Sequence, residues 1–130
     1  MTGPHGEEVD LGATAIALTA LAERDAEATH YEEAIAAFRD SLREHTRDRV
    51  PLFWAMTNDR LGIALAALGT LEWARAAREA ATMHLEEAVA AYGNALLEFT
   101  PDRGPRDAAR IQERRDLALR LLAEYPSQVS

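Results

Sequence analysis

His30-Tyr31-Glu32-Glu33-Ala34-Ile35-Ala36-Ala37-Phe38 and His84-Leu85-Glu86-Glu87-Ala88-Val89-Ala90-Ala91-Tyr92 are one phrase written twice, 54 residues apart. The register continues without a gap: Leu42 falls on Leu96, Glu44 on Glu98, Thr46 on Thr100, Asp48 on Asp102, Arg49 on Arg103 and Pro51 on Pro105. Twelve of the 22 positions from 30 to 51 are identical, and Ile35/Val89 and Phe38/Tyr92 are conservative. A match held across a helix, a linker and a proline marks an internal repeat.

Which positions recur has a physical reason. Tyr31, Ile35, Phe38 and Leu42, then Leu85, Val89, Tyr92 and Leu96, form a large apolar stripe at helical spacing. Ala34, Ala37 and Ser41, then Ala88, Ala91 and Ala95, lie beside it and let a second helix approach closely. One hairpin cannot bury its own stripe, so hairpins must pile up and terminal helices act as caps. Phe38 and Leu96 are expected in the core, where burial contributes roughly 1.5–3 kcal/mol each.

Working outward, helical periodicity covers almost the whole chain. A first helix is expected from Glu7 or Glu8 to about Glu23, with Leu11, Ala15, Leu18 and Leu21 on one stripe. The polar stretch from Arg24 to Thr29 reads as a weak break, with Thr29 as N-cap of a second helix to about Glu44. His45 to Val50 is a linker, and Pro51 suits the first turn of the next helix, expected to end near Gly69 with Thr70 as cap of the segment after it. Residues 71–99 read either as one long helix or as two with a break around Ala81-Thr82. Thr100-Pro101-Asp102-Arg103-Gly104-Pro105 is the clearest turn, with a last helix beyond it to about Glu124. The expectation is an all-α chain of five helices in a single domain, 1–130, with flexible tails at 1–6 and 126–130.

Pro51-Leu52-Phe53-Trp54-Ala55-Met56-Thr57-Asn58-Asp59-Arg60-Leu61-Gly62 through Gly69, together with Leu85 to Tyr92, resembles bacterial tetratricopeptide repeats. Leu61 and Gly62 match the family's first-helix pair. Ala88, Tyr92 and Ala95 match the small–aromatic–small pattern of its second helix. The resemblance spans nearly the whole chain, as about two and a half repeats, and implies a short right-handed solenoid of antiparallel hairpins. The period is 54 residues where the family has 34, the surplus lying between Leu71 and His84. The last helix carries Ala108 in place of Trp54 and Arg115-Asp116 in place of Leu61-Gly62, as a solvent-facing cap would.

Composition narrows the function classes. The net charge is −8, all fourteen basic residues are arginine, and no basic cluster stands free of acids, which argues against nucleic acid. The arginine and alanine usage points to a GC-rich bacterial genome. No cysteine is present, which fits a reducing cytoplasm. The amino terminus lacks the pattern of a secretory signal, and no apolar run reaches the ~20 residues of a membrane span.

No assembled chemistry is legible, and neither an enzyme nor a cofactor is expected. Glu27-Ala28-Thr29-His30 has the Glu-x-x-His spacing of carboxylate metal bundles, but its repeat partner Ala81-Thr82-Met83-His84 lacks the acid. His30 and His84 read instead as solvated helix starts. Glu32-Glu33 and Glu86-Glu87 point about 100° apart on a helix and cannot converge on one atom. Trp54, the repeat aromatic, is expected in the core, and Trp73 at a subunit contact.

Asn58-Asp59-Arg60 recurs as Gln112-Glu113-Arg114. The resemblance places this helix on the concave side of the array, so Asn58, Asp59, Gln112, Glu113 and Arg114 are the candidate surface for a protein or peptide partner. Solvent exposure of both triads is the competing reading. The expected function is thus a non-catalytic scaffold or adaptor in the cytoplasm. The alternatives are a self-associating homo-oligomer and a fragment of a larger signalling protein.

Overall fold

Two prolines set the frame. Pro51 and Pro105 each occupy the first position of a helix, where a missing backbone N–H is no loss. The computed structural model describes residues 5–127, with side chains from 24 to 125. These residues form four helices and no strand: α1 (His5–Glu44), α2 (Pro51–Ala74), α3 (Arg78–Ala95) and α4 (Pro105–Ser127). Of the expected tails, 1–4 and 128–130 lie outside the described residues. His5 and Gly6 begin α1, and Pro126 and Ser127 end α4.

The count is four helices, not five, because the stretch from Arg24 to Thr29 does not break the chain. It lies inside the 40-residue α1. Ala26, Glu27 and Ala28 are good helix formers and no glycine or proline interrupts them. Residues 71–99 do divide, but at 75–77 rather than at Ala81-Thr82. Ala76 takes a left-handed φ of 63°. Its N–H donates to the Trp73 carbonyl at 3.0 Å, and that of Ala77 to the Glu72 carbonyl at 2.8 Å. These two bonds are a Schellman ending, built on alanine where glycine is usual. Gly69 therefore sits within α2, and Thr70 caps nothing, its hydroxyl donating back to the Ala66 carbonyl at 2.8 Å.

The duplicated linkers fold alike. His45 N–H bonds Ser41 O at 2.8 Å, and its counterpart Phe99 bonds Ala95 O at 3.0 Å. Val50 bonds Thr46 O at 3.0 Å as Gly104 bonds Thr100 O at 2.8 Å, and Trp54 bonds Val50 O as Ala108 bonds Gly104 O, both at 2.8 Å. Asp48 and Asp102 are both held below the ordinary carboxylate range, first by the Thr46 or Thr100 hydroxyl and then by their own N–H and the next arginine. Glu98 joins the two linkers, accepting from Arg47 Nε at 2.7 Å and from Arg103 at 3.1 Å. Those two guanidinium groups, Arg47 first, depress its pKa despite partial desolvation.

In chain order each helix packs on the one before, with the most extensive contact between α2 and α3. That seam is made of small residues a heptad apart: Ala55, Gly62 and Gly69 on α2, and Ala81, Ala88 and Ala95 on α3, all buried. A Cβ on Gly62 would lie 2.6 Å from the Tyr92 ring, and one on Gly69 would lie 3.0 Å from Leu85. Leu65, Leu68, Leu85 and Ile111 are the largest fully buried side chains. Phe38 and Leu96 are packed against this core but only partly buried. Trp54 is also only half-buried, with the Arg47 guanidinium 5.5 Å from its ring centroid. Trp73 stacks on Tyr125 of α4, with centroids 4.0 Å apart and planes 6° from parallel, so its contact lies within the chain.

Candidate functional site

α2 and α4 run the same way, both starting from the duplicated turn, and α3 holds them apart so that they touch at only a few residues. A groove lies between them. On α2, the positions 52, 56, 59, 63, 66 and 70 recur at helical spacing and form one wall. Leu52, Met56 and Ile63 on this wall are 54%, 38% and 41% exposed, an unusual amount of large apolar surface for one stripe. On α4, Asp107, Ile111, Arg114 and Leu117 form the facing wall.

An ion pair spans the groove at mid-length. One nitrogen of Arg114 meets both carboxylate oxygens of Asp59, at 2.9 and 2.8 Å. On one side lies a cavity of about 380 Å³ lined by Leu52, Phe53, Met56, Phe99 and Ile111, with Asp59, Asp107 and Arg110 at its edge. On the other lies one of about 170 Å³ lined by Ala66, Ala67, Tyr92, Leu117 and Leu121. Tyr92 stands beneath the pair: burial, and then the Asp59 charge, push its hydroxyl up to about 12 against a smaller opposing effect of Arg114. Asp107 pairs with Arg110, so the charges along the groove cancel and its shape is apolar.

The five residues singled out from the repeated triads separate in space. Asp59 and Arg114 are brought together, facing one another. Asn58 is 2% exposed and offers no surface. Its amide donates to the Trp54 carbonyl at 3.0 Å and its oxygen accepts from Asn94 at 3.3 Å. Gln112 is exposed but binds Asp116 one turn on, at 2.9 Å. Glu113 is exposed. The triad pattern did not identify Leu52, Met56, Ile63 and Leu117, although the spacing 52, 56, 59, 63 around Asp59 carries the signal.

The histidines stand apart from the groove. His84 lies inside α3 rather than at its start, and its ring meets Glu72 of α2 at 2.5 Å. His30 is exposed, edge-on to Tyr31, and His45 lies 3.1 Å from the Ser41 carbonyl. Among the described residues no three His, Asp or Glu side chains converge as a metal site would require, and no helix is long and apolar enough to cross a membrane. Comparison with protein-family models, curated proteins and solved structures gives no match.

Proposed function

We propose that this chain is a non-catalytic interaction module of the tetratricopeptide type, a short helical solenoid that holds a segment of another protein between α2 and α4. The groove carries this reading: large apolar side chains stay exposed on both walls, and its charged groups already satisfy each other. The close approach of Gly62 to Tyr92, two of the residues that carry the resemblance, supports this reading.

Geometry limits the ligand. The two cavities are centred near Met56 and Ala67, about 16 Å apart at 1.5 Å per residue. A suitable segment presents two large apolar side chains at about that separation, three helical turns apart, or about four or six residues apart in an extended strand, where an even offset keeps both on one face. The Asp59–Arg114 bridge lies under the span between them.

Affinity capture from the source cell with Met56→Glu and Leu117→Glu tests the proposal. Both sites are exposed, so helicity measured by circular dichroism should not change. A partner retained by the unaltered chain should bind each variant at least tenfold more weakly, because a carboxylate would enter an apolar cavity. Equal retention by all three proteins would defeat the groove assignment.

A further inference from the structure

We infer that the outward face of α1 is a second docking surface, separate from the groove, and that it takes a basic amphipathic helix of another protein. The repeat supplies the comparison. On α3, Leu85, Ala88 and Ala95 are 0% exposed and Tyr92 2%, because α2 covers them. Their counterparts on α1 are Tyr31, Ala34, Ser41 and Phe38, and all four are only partly buried, while Ala37 is exposed where Ala91 is buried. α1 packs on α2 around Ile35 and Leu42, and the inner edges of Tyr31, Ala34 and Phe38, on the neighbouring part of the same stripe, also reach that core. The positions that a helix covers fully in the second copy are only partly covered in the first, and the small residues at 34, 37 and 41 form the outer edge against which a helix can lie.

Charge selects the occupant. α1 carries ten carboxylates against three arginines, a net −7 of the chain's −8. Two of those arginines are already engaged, Arg39 with Glu87 of α3 and Arg43 with Asp40. Exposed Glu27 sits on the open face, and Glu33, Asp40 and Glu44 run along its edge beside Ala37. Pairing this face with that of a second copy would set the row of Glu27, Glu33, Asp40 and Glu44 against the same carboxylates, which disfavours an isologous dimer. Head-to-tail growth would require α4 to act as α2 does. There, however, Arg115-Asp116 replaces Leu61-Gly62, and Gly62 has no room for even a Cβ against the Tyr92 ring. Asp116 would press a carboxylate onto Phe38. A foreign helix with alanine or glycine on its contact stripe and arginine or lysine on its flanks meets both requirements.

The test uses two fluorescent synthetic helices with the same alanine/leucine stripe, one flanked by arginine and the other by glutamate, titrated against the full chain. The basic helix should bind, more weakly as salt rises, and the acidic twin should not. Ala37→Arg, at an exposed site, should weaken the basic helix at least tenfold, while Met56→Glu leaves it unchanged. That contrast separates this surface from the groove, since either can fail without the other. Equal binding of the twins, or an Ala37→Arg variant that binds as before, overturns the inference. So does sedimentation showing a self-associated chain that Ala37→Arg dissociates, because a second copy would then be the occupant.

Discussion

Gly62 and Gly93 are both helical glycines, and they differ in what a methyl group would meet. At Gly62 it would lie 2.6 Å from Cε1 of the buried Tyr92 ring; at Gly93 nothing lies within 4 Å. Overpacking of this kind costs about 1–3 kcal/mol, whereas alanine gains about 1 kcal/mol over glycine in a helix interior. The clash should win at Gly62 and the propensity at Gly93. Gly62→Ala is expected to lower stability by up to about 2 kcal/mol and Gly93→Ala to raise it by about 1 kcal/mol, read from urea unfolding. Two variants of equal stability would mean that the α2–α3 seam is not closed on the Tyr92 ring. At this scale the sequence was informative where a residue type has one use. Gly62 beside Leu61 signalled close approach, and Tyr92 in the small–aromatic–small pattern signalled what approached. Asn58 was not legible, since an Asn-Asp-Arg run looks like surface, and its burial against α3, with the Asn94 amide donating to it, shows that it faces inward.

Helix ends depend on the chain's local chemistry, and here that chemistry is partly disguised. The turn after α2 needs a residue in the left-handed region, and alanine fills it at φ 63°. A Cβ there costs about 1–2 kcal/mol, against about 0.5–1 kcal/mol for the extra freedom that glycine loses on folding. Ala76→Gly should therefore stabilise the chain by roughly 0.5–1 kcal/mol. Its neighbour, Ala77→Gly, at φ −85°, should give no gain. A thermal-unfolding midpoint unmoved by Ala76→Gly would show the turn to be unstrained. The disguise explains why this boundary was illegible: Arg75-Ala76-Ala77 contains no glycine, proline or asparagine, and the glycine nearby, Gly69, serves packing rather than termination. The reverse happened at 24–29, where polar residues imitate a linker while their propensities remain helical. The proline-bearing linkers were legible because Pro51 and Pro105 admit few alternatives.

For the molecule as a whole, the question is how the outer face of α4 differs from that of α2. α2 and α4 are repeat counterparts with different tasks: α2 is covered on its far side by α3, and α4 has no helix beyond it among the described residues. The difference is concentrated at Arg115-Asp116, which stand where α2 has Leu61-Gly62, together with Gln112, whose amide holds Asp116. A cavity of about 430 Å³ lies beside Gln112 and Arg115, lined also by Leu96, Phe99, Ala108 and Ala109. Removing the polar pair should make this face of α4 receptive to another helix. Arg115→Leu with Asp116→Gly gives α4 the same Leu-Gly step that lets α2 receive Tyr92, and the open face of α1 in another copy presents Phe38 at the corresponding position. Such a contact is heterologous, with unlike surfaces meeting, and it leaves each end free to add another copy. The double variant is expected to form concentration-dependent chains visible by light scattering, and Ala37→Arg introduced on the same molecule should return it to the behaviour of the unaltered protein. A double variant that scatters like the parent at every concentration would show that the two ends do not fit one another, and that the open face of α1 needs different contacts from those α2 provides.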